Sequence, residues 1–182
     1  MTPRQYVAKM RGSTRGSPPR VASREIFWSW LTSFLGIAAV AGVENLFLAG
    51  TDLTLMIGSF GASAVLIYGA IHSPLAQPRN LIGGHLVSAL IGVACWKLLH
   101  AHPWLAQSLA VSLAIAAMHA TRTLHPPGGA TALIAVVGSD DLHARGFGYV
   151  LLPVGLGAAI LLAVAVLANN LSKTRRYPEI WF

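Results

Sequence analysis

The chain has 182 residues, 54% of them hydrophobic and 10% charged, with a formal net charge of +7. A soluble domain carries roughly 25% charged residues, and 13 basic plus 6 acidic side chains, 19 in all, are too few to cover a water-facing surface of this size. The composition excludes an ordinary soluble fold and makes lipid the expected solvent.

Residues 1–24 are basic, rich in Ser, Pro and Gly, and without apolar periodicity, which predicts a disordered cytoplasmic tail. An Arg-rich leader without acids also fits an organelle transit peptide, but it runs straight into an apolar helix with no evident processing site. Six of the 13 basic residues (Arg4, Lys9, Arg11, Arg15, Arg20, Arg24) precede the first acid, Glu25. Lys173, Arg175 and Arg176 stand in a second basic cytoplasmic tail, residues 171–182. Charge gathered at both ends marks cytoplasmic segments, expected at a bacterial inner (plasma) membrane, and not a stripe for nucleic acid. The single cysteine, Cys95, leaves no disulfide framework and no cysteine-based zinc site.

Between the tails, residues 25–170 read as one transmembrane domain of six apolar segments. They run from Ile26 to Leu48, Leu53 to Ile71, Leu81 to Leu99, Trp104 to Ala120, Gly128 to Gly138 and Phe147 to Ala168. A hydrocarbon core of about 30 Å needs roughly 20 helical residues. The first, third and sixth meet that length, the second and fourth are borderline, and the fifth is too short. The fifth therefore needs either non-helical chain through His125-Pro126-Pro127 or a re-entrant path. Two cytoplasmic ends require an even number of crossings. With six, Glu44, Asp52, Asp140 and Asp141 fall toward the outside and Arg79 and Arg122 inside, while Lys97 and Arg145 run against the pattern.

A repeat divides the domain. GASAVLIYG at Gly61–Gly69 resembles GATALIAVVG at Gly129–Gly138, each in the middle of a three-segment half, about residues 26–99 and 104–168. Three crossings per half give the halves opposite orientation, as in inverted-repeat transporters whose short or interrupted segments point to the binding site. The expected fold is thus all-α, two inverted three-segment repeats with the second and fifth segments short or broken. Four full spans plus two half-helices is the alternative. Small residues can equally serve close helix packing.

The strongest local feature is Thr121-Arg122-Thr123-Leu124-His125-Pro126-Pro127-Gly128-Gly129-Ala130-Thr131. Two prolines break the chain, and a helix restarting after such a break offers unpaired N–H groups and a positive dipole end to an anion. Gly128, Gly129, Ala130 and the Thr131 hydroxyl are the candidates there. Gly58, Ser59, Gly61, Ala62 and Ser63 offer the same donors from the other half. His85, His119 and His125, in or near apolar segments, are candidates for proton coupling. Glu44, beside Asn45, pairs with Lys97 or faces water. His100-Ala101-His102 is a weak metal signal in a loop, and no metal or other cofactor is implied.

HPPGGATAL, together with GSFGASAVLIYG and SPLAQPRNLIGGHL, closely resembles the HPP family of integral membrane proteins, named for the His-Pro-Pro motif, and three separate motifs in the right order make the likeness specific. The likeness covers about residues 25–170. Members are described as having four membrane-spanning helices, and some plastid and cyanobacterial relatives as nitrite transporters, so the resemblance implies an anion transporter. Its motifs fall on His125, Pro126, Pro127, Gly128 and Gly129, on Gly58 through Ser63, and on Pro78, Arg79, Asn80 and His85. Some relatives carry regulatory domains after the membrane part, which are expected to be missing here.

Arg79 and Arg122 stand at inner segment ends, where a guanidinium suits a planar oxyanion but also anchors orientation. The expected function is movement of a small monovalent oxyanion, nitrite first, across a lipid bilayer by a transporter or channel, with Asn80 and Arg79 added to the binding set and a homo-oligomer possible. A membrane-embedded histidine-dependent metal enzyme is the alternative, weakened by the lack of an HExxH-like pair.

Overall fold

The computed structural model describes residues 1–10, 19–49 and 55–182. Arg11, Arg15 and Asp52, used above for charge placement, lie outside the described residues, as does the start of the second apolar segment. The leader, expected to lack regular structure, opens with a short helix α1 (Pro3–Lys9), capped by the Thr2 side chain and exposed throughout.

Next come α2 (Ser23–Leu48), α3 (Gly58–Gly69), α4 (Pro78–Leu99), α5 (Pro103–Ala120), α6 (Pro126–Val137), α7 (Asp140–Arg145) and α8 (Val150–Asn169). Among the described residues there is no strand. Helices α2, α4, α5 and α8 are long and apolar enough to cross a membrane; α3 and α6 are not. Twelve residues of helix reach about 18 Å, well short of the hydrocarbon core. The architecture is therefore four full spans and two half-length helices. The second segment is shorter than its apolar run suggests, because regular helix begins only at Gly58.

Each half-length helix still completes a passage with its extended lead-in. Glu25 at the start of α2, Tyr68 near the end of α3 and Asn169 at the end of α8 all bond to Arg175, so these ends share one face, here the terminal face. On the opposite, far face, the Trp96 and His143 rings stack at 3.7 Å, and Met56, Ile57 and Gly58 line one cleft with Ser139, Asp141 and Arg145. Helix α3 thus runs from the far side to the terminal face, and α6 runs the other way, from beside Leu75 to Ser139. The start and end of α6 lie 68 positions after those of α3 (126 − 58 and 137 − 69). The two half-length helices are thus inverted copies of one element, while the flanking long helices follow the same order without a constant offset.

Small residues let the long helices close on this centre. A Cβ on Gly84 of α4 would lie 2.5 Å from His125 Cβ, and one on Gly92 would lie 2.5 Å from the Ala132 carbonyl oxygen. Phe60 fills the notch at Gly157 and Tyr68 the notch at Gly36. Such crossings replace the hydrophobic drive that lipid does not supply.

The C-terminal segment is docked, which the reading of it as a basic tail did not foresee. Arg175 is buried. Its Nε donates to Glu25 Oε2 at 2.8 Å; Nη1 donates to the Tyr68 carbonyl and Asn169 Oδ1, both at 3.0 Å; Nη2 donates to the Glu25 carbonyl at 2.9 Å and to Ser29 Oγ at 2.8 Å. All five guanidinium donors are spent, so Arg175 ties α2, α3 and α8 together and has none left for a ligand. Tyr177, whose phenol is pushed upward by burial, donates to the Ala76 carbonyl at 2.7 Å.

Candidate functional site

Extended backbone at membrane depth persists only where protein or water satisfies its polar groups. Both lead-ins meet that condition, with opposite chemistry. Ahead of α3, the Leu55 and Met56 N–H groups donate to one oxygen, Glu44 Oε2, at 2.7 and 2.6 Å. Glu44 therefore neither pairs with Lys97 nor simply faces water. Lys97 instead lies over the Phe147 ring at 5.9 Å. Ahead of α6, Arg79 Nη2 donates to the Thr121 carbonyl at 2.9 Å and Asn80 Nδ2 to the Leu124 carbonyl at 2.8 Å. The motif residues Arg79 and Asn80 thus hold the chain leading into the other motif. Arg122 is exposed in the turn between, at φ 57°, the left-handed region that ends many helices.

Where the first turns of α3 and α6 meet, one hydrogen-bonded chain joins both halves. Thr131 Oγ1 is 2.9 Å from Ser59 Oγ and 2.7 Å from His85 Nδ1. His85 Nε2 is 2.7 Å from Ser63 Oγ, Ser63 Oγ is 2.9 Å from His125 Nε2, and His125 Nδ1 is 2.8 Å from the Leu75 carbonyl. The pairs Ser59–Thr131 and Ser63–His125 show the two helices lying antiparallel by their N-terminal turns. Ser63 and Thr131 are the equivalent hydroxyls of the repeat, 68 positions apart (131 − 63), and the His85 ring bridges them. All five side chains are fully buried. No buried side-chain nitrogen or oxygen among the described residues lacks a partner.

The remaining predicted site residues divide. Pro126 and Pro127 occupy the first positions of α6 and carry no N–H. The Gly128 N–H is spent on the His125 carbonyl at 2.8 Å, and Gly129 and Ala130 stand within the helical ladder. The break that was expected to expose amides at this end removes them instead, so α6 offers the Thr131 hydroxyl and the imidazole of its N-cap residue, His125. Gly128 has a packing role, since a Cβ there would lie 2.7 Å from Ser88 Oγ and 2.9 Å from the Gly84 carbonyl oxygen.

Gly129, Ala130 and His119 line an apolar groove between α5 and α6, so His119 does not join His85 and His125. His85, His119 and His125 therefore do not meet as a trio, and no group of three potential metal-holding side chains occurs among the described residues. Gly61 and Ala62 are exposed on the outer side of α3. Gly58 and Ser59 open α3 without proline, so their N–H groups lack helical acceptors.

Sequence reasoning missed Glu44 as a backbone clamp, Leu75 as the end of the chain, Arg175, and Tyr149, which donates to the Thr131 carbonyl at 3.2 Å. Only the acid Glu44 at the end of an apolar run signalled any of this. Two clefts approach the buried chain. One of about 430 Å³ on the far face reaches Gly58, next to Ser59. One of about 460 Å³ on the terminal face is lined by Ile71, His72 and Ser73, close to Leu75.

Comparison with known proteins places the chain in a family. The model of the HPP transmembrane region matches residues 18–178. The chain belongs to the HPP transmembrane family. It is also similar to two transmembrane proteins of Dictyostelium discoideum, at 46% identity over 181 residues and 43% over 182 residues, each alignment covering 98% of this chain. The chain spans 58% and 64% of those two proteins' own lengths. No solved structure matches. As an HPP family member with four long apolar helices, the protein is a multi-pass membrane protein.

Proposed function

We propose that this HPP family protein moves a small monovalent oxyanion, nitrite first among candidates, across the membrane through the region where α3 and α6 meet. The observation that carries the reading is the union of two half-length helices from inverted repeats around neutral donors: the Ser59, Ser63 and Thr131 hydroxyls and the Gly58 and Ser59 amides. Broken segments in corresponding places are where inverted-repeat transporters bind their substrates. Neutral donors hold an anion weakly enough to release it.

Arg79, half-exposed and using one Nη2 donor on Thr121, keeps further N–H groups for an oxyanion on the terminal side. The basic termini make the terminal face cytoplasmic. Purified protein in liposomes, assayed with nitrite, nitrate, chloride, formate and sodium, tests the reading. Selective flux of nitrite or a similar oxyanion, lost in Thr131→Val, is expected. Absence of any anion flux, together with stoichiometric metal in the purified protein, overturns it in favour of a membrane enzyme.

A further inference from the structure

The buried chain is more ordered than anion binding requires. A neutral imidazole has one donor and one acceptor nitrogen, and a hydroxyl has one proton to give. The Leu75 carbonyl only accepts, so His125 Nδ1 carries a proton. In the resting geometry Thr131 Oγ1 donates to Ser59 Oγ, with the Pro127 carbonyl a second acceptor at 3.3 Å. When both rings are neutral the two hydroxyls rotate, so that His125 Nε2 accepts from Ser63, Ser63 from His85 Nε2–H, His85 Nδ1 from Thr131, and Thr131 from Ser59. Every donor then points the same way, from Ser59 beside the far cleft toward His125.

The opposite polarity differs by a single proton. With Thr131 donating to Ser59, His85 Nδ1–H donates to Thr131 and Ser63 donates to His85 Nε2. His125 must then donate through both nitrogens and is an imidazolium.

We propose that this chain is a proton relay between the two clefts, so that the anion travels with H⁺. This deepens the anion-transport reading and rests on it. A proton from water in the far cleft binds Ser59 Oγ. Ser59 passes its own proton to Thr131, Thr131 to His85 Nδ1, His85 Nε2 to Ser63, and Ser63 to His125 Nε2. Each O–H or N–H bond that breaks is replaced by one formed on the same residue, and the net charge appears on His125. When the Leu75 carbonyl releases Nδ1–H, that proton passes to water of the terminal cleft, and rotation of the hydroxyls and exchange of ring tautomers restore the first polarity.

Coupling to an anion follows from position. His125 caps α6 at the positive end of the helix dipole, where an imidazolium is disfavoured. An anion among Ser59, Thr131 and the α3 amides offsets that cost, so proton and anion promote each other's binding. The groups touching the two rings are Ser63 and Phe60 from α3, Thr131 from α6, the Leu75 carbonyl and each other, the Phe60 ring lying 5.4 Å from His85. Helix α4 adds Ser88, which donates to Met118 Sδ of α5 at 3.5 Å. Tyr149 reaches the Thr131 carbonyl, and Arg79 bonds the Thr121 carbonyl in the chain leading into α6. No carboxylate among the described residues touches either ring.

The test is liposome uptake of nitrite with a pH dye inside, protein-free liposomes as baseline, and the membrane potential clamped at several values. Uptake matched by internal acidification and indifferent to potential is expected. Nitrite uptake that carries charge and brings no protons overturns the relay while leaving the anion reading intact. Absence of nitrite uptake counts against the anion reading; proton flux driven by a pH gradient in anion-free liposomes then decides the relay alone.

Ser63→Ala keeps both imidazoles but cuts the chain, and it should lower proton flux by about 10²-fold. Ser63→Thr, which retains the hydroxyl, should restore it. Thr131→Val cuts the chain at a second point, so a folding failure of one variant does not end the test. Normal proton flux in either folded cut variant overturns the relay.

Discussion

The two half-length helices have equal length and the same place in their repeats, yet they are held by opposite chemistry. Before α3, stranded amides need an acceptor, and Glu44 supplies it. Before α6, stranded carbonyls need donors, and Arg79 and Asn80 supply them. The first turns differ as well. Gly58 and Ser59 leave amides open in α3, whereas Pro126 and Pro127 remove them in α6 and leave His125 as the cap. Symmetry of backbone course is therefore kept while the donors and acceptors are divided between the halves. The single imidazole of His85 spans the equivalent hydroxyls Ser63 and Thr131.

That division can be broken from either side. The largest effect is expected from Gly128→Val, because the new carbons meet the Gly84 backbone and Ser88 within 3 Å and backbone cannot yield as a side-chain tip does. No monodisperse folded protein should survive in detergent, and a normal elution profile would show that α4 and α6 do not close there.

Glu44→Ala comes next. Two amides without an acceptor cost about 3 kcal/mol, read as a fall in Tm, and an unchanged Tm would mean that Glu44 does not hold the α3 lead-in. Asn80→Ala removes one donor from a carbonyl and should cost about 1 kcal/mol, since under-satisfied carbonyls are better tolerated than stranded N–H groups. An effect of Asn80→Ala larger than that of Glu44→Ala would reverse the comparison.

The smallest effects belong to the equivalent glycines Gly61 and Gly129. A Cβ on Gly61 meets nothing within 4 Å, and one on Gly129 meets only Val111 Cγ1 at 3.8 Å. Alanine at either site should leave Tm the same or raise it by about 1 kcal/mol worth of helix propensity. A clear loss at one site alone would show that its outer face is covered by something other than lipid.

Much of this was legible in the chain. The GASA and GATA strings marked the two half-length helices, and His-Pro-Pro marked the start of α6, because composition alone decides where a helix must break. His85, His125, Ser59, Ser63 and Thr131 were all singled out, and the structure gathers them. His119 was singled out on the same grounds and stands apart, since an apolar segment shows no phase relative to its neighbours when every face is apolar. Glycine function was also ambiguous: Gly128 reads the same whether it exposes amides or admits a neighbouring helix, and contact with Gly84 is visible only after folding. Arg175 looked like one more tail charge because its partners Glu25 and Tyr68 lie more than a hundred positions away.

By itself the sequence determined the lipid environment, the six-segment order and the inverted repeat. A charge fraction of 10% cannot cover a water-facing surface, and prolines and glycines act locally. The tertiary structure decided which polar groups face one another. It closed the C-terminal segment over the terminal face through five donors of one arginine, and it set two histidines and three hydroxyls in a single file between two clefts. Such choices depend on helix rotation and crossing, which are set by side-chain contact between distant segments and leave no periodic trace in an apolar chain.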